Sequence, residues 1–354
     1  MDKMEENEII NLFFKLVRID SPSGDESKMG KFVMDYLSDL GIKSNQDARG
    51  NIYAFMAGKG GNVLVSAHLD TVEPGRGIKP VIKGGYIISS GSTILGADNK
   101  VSVAAILYAI KKTKHIKNVE LLFTVAEETD SGVKDFDFKI IKSKKGLIAD
   151  RSDKLGTIVL ASPFIENLYV EVQGKGAHAG LPEKAVNALT MTVNSLAKTR
   201  WGRISQKTTT NIGLISGGTA MNSVPDRIEL QGEIRSFNKD ELIKQRILVE
   251  KVFQNESEKL KGNISFRTSR YCNGYNYKKN DRHVLDIAGI LKRLGFAINY
   301  QVAFGGSDAN YFVEKGINVV NIGDGTKDPH TTKERVKIGD LGKLVEIYSE
   351  YIKA

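Results

Sequence analysis

Apolar residues recur in two rhythms along this chain, one near 3.6 residues and one near two, and their alternation predicts an α/β protein. Ile9 to Val17 holds the apolar part of a first helix. Met29, Phe32, Val33, Tyr36, Leu37 and Leu40 keep helical spacing for a second. Ser23 and Glu26 stand at capping-box spacing before it, and Gly41 can close it. Asn51 to Met56 and Val63 to Ala67 read as strands. Gly91 to Lys100 is a glycine-bearing loop. Val101 to Ile110 after it is apolar almost all round, the mark of a buried helix. Val119 to Ala126 and Leu147 to Ala149 are further strand-like runs.

From Phe164 the texture changes. Leu168 to Gln173 reads as a strand, Gly174 to Gly180 as a glycine-rich loop around His178, and Pro182 suits the first turn of a helix running to about Lys198. Asn211 to Ile215 is a strand. Between Arg227 and Arg235 apolar and charged residues alternate, so that strand has one wet face. Asn238 and Glu241 repeat the capping-box spacing before an amphipathic helix to about Leu260. Ile264 to Thr268 closes the segment. The order β-α-β-β-α-β predicts a small α+β domain, with a four-stranded antiparallel sheet and two helices, inserted over 164–274. The first texture resumes near Tyr275, with a helix over His283 to Leu294, a strand over Ile317 to Ile322 and a last helix over Leu341 to Ile352.

Three of the strand-like runs end in acid or histidine. Val63 to Asp70 reads Val-Leu-Val-Ser-Ala-His-Leu-Asp, which projects His68 from a strand tip with Asp70 two residues on. A metal-bound imidazole needs its second nitrogen held by an acceptor, commonly a carboxylate. The pair supplies both, although a histidine satisfied by ordinary hydrogen bonds fits the same pattern. Val119 to Ala126 runs into Glu127-Glu128, which a solvated loop would also explain. Leu147 to Ala149 runs into Asp150. Asp98 falls where the glycine loop meets a helix, a common place for an N-cap aspartate. Open α/β sheets bind ligands at the carboxyl ends of their strands, where His68, Glu127, Glu128 and Asp150 would gather. Adjacent buried glutamates repel unless a cation holds them. With Asp98 and His330, in the turn Asp328-Pro329-His330, the set suits zinc and admits cobalt or manganese. Five ligands with one shared carboxylate can serve two ions about 3.5–4 Å apart.

Composition narrows the function. At 354 residues the chain has room for two domains, and 41% hydrophobic with 26% charged residues is ordinary for a globular protein. No apolar run approaches the roughly 18 residues of a membrane helix. The start, Met-Asp-Lys-Met-Glu-Glu, lacks the regions of a signal peptide, so a cytoplasmic protein is expected. Cys272 is the single cysteine, which excludes an internal disulfide framework and fits a reducing compartment. The net charge of +9 raises nucleic-acid binding. The lysines are spread along the chain, however, and Lys139 to Lys145 is a local cluster, so neither nucleic acid nor membrane is an expected partner. His115 and His283 fall in no motif and read as surface residues.

Six segments carry a resemblance. They are Ser-Ala-His-Leu-Asp-Thr-Val, Gly-Ala-Asp-Asn-Lys, Ala-Glu-Glu-Thr, Gly-Ala-His-Ala-Gly, Gly-Gly-Thr-Ala-Met-Asn-Ser-Val-Pro-Asp and the late His330. Together, and in this order, they resemble the M20 family of dinuclear zinc peptidases and amidohydrolases, most of all its peptidase T (tripeptide aminopeptidase) branch. The resemblance spans nearly the whole chain. It implies a catalytic domain over 1–163 and 275–354, with a mixed sheet flanked by helices, and a lid and dimerisation domain over 164–274. It implies two zinc ions per subunit: His68 and Asp150 on the first, Asp98 bridging, Glu128 and His330 on the second. Asp70 would orient His68, and Glu127 would be the general base. A cis peptide after Asp98 is implied too. His178 would assist from the partner subunit of a homodimer as the domains close on hinges near Ser162 and Gly274. Arg235 would bind a substrate carboxylate, although a surface arginine fits its place as well, and Asn222, Gly305, Gly306 and Ser307 match further substrate contacts. The implied reaction removes the N-terminal residue of a short peptide. Asn-Ser-Val-Pro-Asp and the Arg-Ser after Ile234 also resemble members that deacylate N-acyl amino acids, and the chain is shorter than peptidase T proper.

Overall fold

A computed structural model describes residues 2–130 and 132–353. The chain divides into two compact units. One comprises Met1–Leu160, Tyr277–Val302 and Ser307–Ala354, the other Ala161–Asn276 and Ala303–Gly306. The short return over 303–306 joins the second unit through hydrogen bonds. Ala303 N donates to Ala161 O at 2.8 Å and Ser162 Oγ to Gly305 O at 2.9 Å.

In the first unit four neighbouring strands run parallel, in the spatial order Asn118–Thr124, Asn62–His68, Lys145–Ala149 and Asn318–Ile322. The register pairs His68 with Thr124 and Ile322 with Ala149. All four therefore deliver their carboxyl ends to one edge. Ile52–Met56 flanks them antiparallel on one side and Thr157–Ser162 on the other. Val63, Leu64, Val65, Ala67, Leu121, Leu147 and Val320 are buried, as expected of strands covered on both faces. Helix Ala97–Lys112 is buried without a break from Val101 to Ile110 and packs on Lys3–Arg18 and Ile338–Ile352. No helix among the described residues is long and apolar enough to cross a membrane.

The expected capping box before helix Ser27–Asp39 does not form. Ser23 Oγ donates instead to Asp70 Oδ2 at 2.6 Å, and Glu26 Oε1 accepts from Gly24 N and Ala126 N. Both side chains are spent on holding distant backbone and the site below. Gly41 does close the helix, at a φ of 74° that favours glycine. His283 is not a surface residue. It lies on the apolar stripe of helix Arg282–Arg293 with Val284, Ile287 and Leu291, and its Nε2 is 2.8 Å from Gly146 O.

The second unit carries four long antiparallel strands, Thr208–Gly217, Arg227–Ser236, Phe164–Gln173 and Asn263–Cys272, with the two-residue Gly202–Arg203 added at the edge. Val170, Val172, Ile228 and Leu230 pack on Met191, Val249 and Phe253 of helices Ala188–Lys198 and Lys239–Lys259. Pro182 opens a single 3₁₀ turn, Pro182–Lys184, and not the helix. Ala185 and Asn187 are extended, and the helix starts after Asn187, whose Oδ1 accepts from Leu189 N and Thr190 N. A side-chain cap marks that boundary more firmly than a proline. Half of the second capping box forms. Asn238 Oδ1 accepts from Glu241 N, while the Glu241 carboxylate turns to Thr208 Oγ1 and Ser205 Oγ.

Candidate metal centre

At the carboxyl edge of the parallel strands two groups of side chains can each hold a metal ion. One is His68, Asp98 and Asp150; the other is Asp98, Glu128 and His330. His68 Nε2 lies 3.3 Å from Asp98 Oδ1 and 3.4 Å from Asp150 Oδ1. His330 Nε2 lies 2.7 Å from Glu128 Oε1 and 3.6 Å from Asp98 Oδ2. Asp98 thus turns one oxygen to each imidazole. It can do so because the chain bends ahead of the helix proper, with Gly96 at φ 67° and Asp98 and Asn99 non-helical; the peptide between these two is cis. The N-cap position belongs to Gly96, not to Asp98.

Asp70 is fully buried and organises this edge. Its backbone oxygen is 3.0 Å from His68 Nδ1, and its Oδ1 is 3.3 Å from the same nitrogen. That leaves Nε2 turned to the carboxylates. Oδ1 also accepts from Glu127 N at 3.0 Å and Oδ2 from Glu128 N at 3.1 Å. One carboxylate therefore fixes the histidine and both glutamates. Glu127 is buried and belongs to neither metal-holding group. Asn99 Nδ2 donates to Asp150 Oδ1, and Asn321 Oδ1 accepts from Asp150 N.

Glu334 has no counterpart among the sequence candidates. Buried, it accepts from Leu95 N, Gly96 N and Asp98 N at 2.8, 2.7 and 3.0 Å, clamping the loop that presents Asp98. It lies 236 residues from Asp98 in sequence and reads there as one more charge in Lys-Glu-Arg, so spacing carries no signal for it.

The remaining candidates lie mostly in the second unit. Pairing of Ala177 with Val224 and His178 with Ser223 brings His178 beside Asn222, whose oxygen accepts from Ala179 N. His178 is exposed, and Gly180 N donates to its Nδ1 at 3.1 Å. The neutral ring then carries its proton on Nε2, free to donate. A Cβ on residue 180 would lie 3.2 Å from Nδ1, so glycine lets the amide close on the ring. Arg235 is not a free guanidinium. Its Nε and Nη2 take both oxygens of Glu233 at 2.6 and 2.8 Å, and its Nη1 donates to Phe304 O at 2.9 Å. Gly305 and Gly306 follow that carbonyl. A Cβ on Gly306 would come within 2.8 Å of Cys272 Sγ. Ser307 belongs to the first unit, at the start of helix Asp308–Glu314, where its N–H donates to Asn310 Oδ1.

The sequence pattern of Peptidase family M20/M25/M40 matches residues 64–354. The chain belongs to this family. Its fold follows that of aminopeptidase PepT from Bacillus cereus, at a TM-score of 0.90 and 32% identity over 98% of each chain. A tripeptidase from Staphylococcus aureus gives a TM-score of 0.93 and 30% identity, again over 98% of each. Succinyl-diaminopimelate desuccinylase of Nitratiruptor is 25% identical over 98% of this chain and its own full length.

The electrostatics of this M20 site test whether metal ions fit it. Burial, then Asp150, raise Glu127 well above the usual carboxylate range, and burial also raises Glu128. Asp308 is pushed up to about 7, chiefly by burial, although Thr124 Oγ1 donates to it at 2.6 Å. Asp98 goes the other way. Burial would raise it, but hydrogen bonds from His330 and His68 outweigh burial and lower it. His330 is raised to about 10 by Asp98 and Glu128. Burial alone would lower His68, yet Asp150, Asp70 and Asp98 lift it well above its ordinary value. So many buried carboxylates require positive charge among them. One imidazole and two carboxylates in each group is a donor set that zinc accepts, and the residues fit such ions.

Proposed function

We propose that this chain is a two-zinc aminopeptidase that removes the N-terminal residue of short peptides, tripeptides among them. The observation that carries the reading is the pair of ligand groups sharing Asp98. The likeness to two proteins named as an aminopeptidase and a tripeptidase supports it. His68, Asp98 and Asp150 hold one ion, and Asp98, Glu128 and His330 the other, with cobalt or manganese as substitutes for zinc. Ions held there supply a water of lowered pKa and a positive partner for the scissile carbonyl. Glu127 takes the proton from that water and hands it to the leaving amine. Its carboxylate belongs to neither ligand group, which leaves it free to carry the proton between the two transfers. Asp70 keeps His68 oriented and holds Glu127 by its amide.

His178 offers Nε2–H to the carbonyl oxygen as negative charge develops there, and it does so from the partner subunit of a homodimer. In the second unit Leu189, Val193, Leu214, Ile215 and Met221 are large apolar side chains left exposed, and a seam would cover some of them. Arg235 receives the substrate's terminal carboxylate by exchanging Glu233 for it, since its planar fork suits either. Asn222, Gly305, Gly306 and Ser307 complete the contacts. The reaction is placed in the cytoplasm.

A free-amine tripeptide assayed beside its N-acetylated twin tests the reading. Release of the N-terminal residue from the free peptide is expected. Cleavage of the acylated twin alone would favour a metal-dependent deacylase of N-acyl amino acids, the reading to which the desuccinylase likeness points. Glu127→Ala should lower kcat by about 10²–10⁴-fold with bound metal unchanged; retained activity would remove Glu127 from its role. Mixing inactive Glu127→Ala and His178→Ala proteins should restore activity through hybrid dimers. A fully active monomer would exclude the trans arrangement.

A further inference from the structure

Asn62, Lys145 and Asn318 open three of the parallel strands, and the pairings Asn318 with Lys145 and Leu64 with Gly146 set those openings side by side. Strand Asn62–His68 rises about 20 Å at 3.3 Å per residue. This edge of the sheet is therefore remote from the carboxylates at the other. A cavity of ≈ 580 Å³ lies here, lined by these three residues with Lys142, Lys144, Arg282, His283 and Asp286.

We infer that this cavity binds a small molecule carrying two or more phosphate groups. Four cationic side chains face it against one carboxylate. That carboxylate, Asp286, is 3.5 Å from Lys145 Nζ. Among the described residues Lys142, Lys144 and Arg282 make no ion pair, so three positive charges are unmatched. Lys117 stands close enough to Lys145 that the two repel, and its Nζ donates to Tyr351 O at 2.7 Å. Such a field attracts multiply charged anions far more than single ones.

The cationic segment is held in place. Glu120, fully buried, accepts from Lys142 N at 2.9 Å and Ser143 N at 2.6 Å, and from Tyr53 Oη at 2.7 Å. Lys144 O accepts from Asn318 N, which ties the lysines to the neighbouring strand. Asn62 Oδ1 accepts from Asn118 Nδ2, leaving the Asn62 amide group as a donor. Helix Arg282–Arg293 begins in the wall. Asp281 stands at its N-cap with the carboxylate accepting from Lys278 N, and this charge offsets the positive helix end, so the field rests on the side chains. His283 stays neutral, its pKa lowered first by burial. The volume lies within the roughly 300–1,000 Å³ of small-molecule sites, a size that accommodates a compact polyanion.

The site is independent of the peptidase reading. Calorimetric titration of the metal-replete protein with fructose 1,6-bisphosphate, at fixed ionic strength near 0.15 M, tests it. Saturable one-to-one binding is expected. It should weaken at least about ten-fold, or about 1.4 kcal/mol, in the triple variant Lys142→Ala, Lys144→Ala, Arg282→Ala. The triple Lys28→Ala, Lys43→Ala, Lys83→Ala changes net charge equally and should leave binding intact. Lys144→Ala alone, at an exposed side chain, should weaken binding measurably even if the first triple folds poorly. Absence of saturable binding, equal loss in both triples, or displacement of the bisphosphate by a tighter-binding oligonucleotide would overturn the proposal. So would undiminished binding in the folded first triple, which would place the anion on the metal centre.

Discussion

The parallel strands that end beside Asp98, Glu127, Glu128 and Asp150 begin beside Lys142, Lys144, Lys145 and Arg282. The acids at one edge are buried or nearly so and interlocked by backbone amides. The bases at the other sit around an open cavity, and most are exposed. Histidine records the difference. His68 and His330, among the acids, are pushed up; His283, behind the bases, is pushed down. All three imidazoles are the same chemical group, so surroundings set which proton state each prefers. An acid edge this crowded calls for cations inside it. A basic edge this open holds its charges in water and can wait for an anion.

Breaking the acid edge at its centre should have the largest effect. Asp98 is the one residue in both ligand groups. Asp98→Asn should strip both ions together and drop peptidase activity to background, below the residual activity of Glu127→Ala. Metal content by elemental analysis after gel filtration reads the first outcome, and peptide turnover the second. Full retention of two ions would show that Asp98 does not join the groups. Loss of a single ion would show that it serves one of them.

The next effect sharpens how the edge is held. Glu334 accepts three N–H groups in the loop before Asp98, and burial pushes it up to about 7 while those donors pull it down. Glu334→Gln keeps the shape but replaces one acceptor oxygen with an amide that faces another donor. It should cost about 1–3 kcal/mol of unfolding free energy, the range for leaving a buried donor unsatisfied. Metal affinity should fall about 10–100-fold, as for other outer partners of metal ligands. Urea unfolding and a competitive chelator titration measure the two. A stability loss with unchanged metal affinity would make Glu334 a brace of the fold alone.

These contacts explain what the sequence could and could not show. His68, Asp150 and the glutamate pair were legible because each ends an apolar run, and strand direction sends such ends to one edge. Asp98 and His330 stood out through short motifs. Asp70 was legible as the partner of His68 but not as the clamp on Glu127 and Glu128, which reaches 57 and 58 residues ahead. Glu334 was invisible for the same reason. Ser23 with Glu26 misled because local spacing favoured a cap, whereas their side chains satisfy groups on other segments. The basic cavity was half legible. Lys139 to Lys145 showed as a cluster, but Arg282, Asn62 and Asn318 join it only through parallel pairing. Periodicity locates elements; it does not say which distant polar group will complete a buried one.

The smallest effect tests the contrast between imidazoles directly. His283 is buried, its Nε2 bonds Gly146 O, and its Nδ1 is buried without a hydrogen-bond partner. Its folded pKa lies below the ordinary 6.5, first because of burial. Above that value both folded and unfolded chains keep the ring neutral, and the residue adds no pH dependence. As pH falls through 6.5 the unfolded chain takes up a proton that the folded one resists. The unfolded state then binds more protons, so stability falls with falling pH. His283→Asn should therefore flatten the slope of unfolding free energy against pH just below 6.5, with little change in slope above it. The same measurement on a chelated sample of His330→Asn should show the opposite sense. There the folded pKa is raised to about 10, and the wild-type contribution, full below 6.5, is lost as pH rises through that range. Parallel slopes for the two variants would mean that the two surroundings do not impose opposite proton states. Opposed slopes would tie the crowded carboxylates around His330 and the burial of His283 to measurable, contrary demands on one residue type.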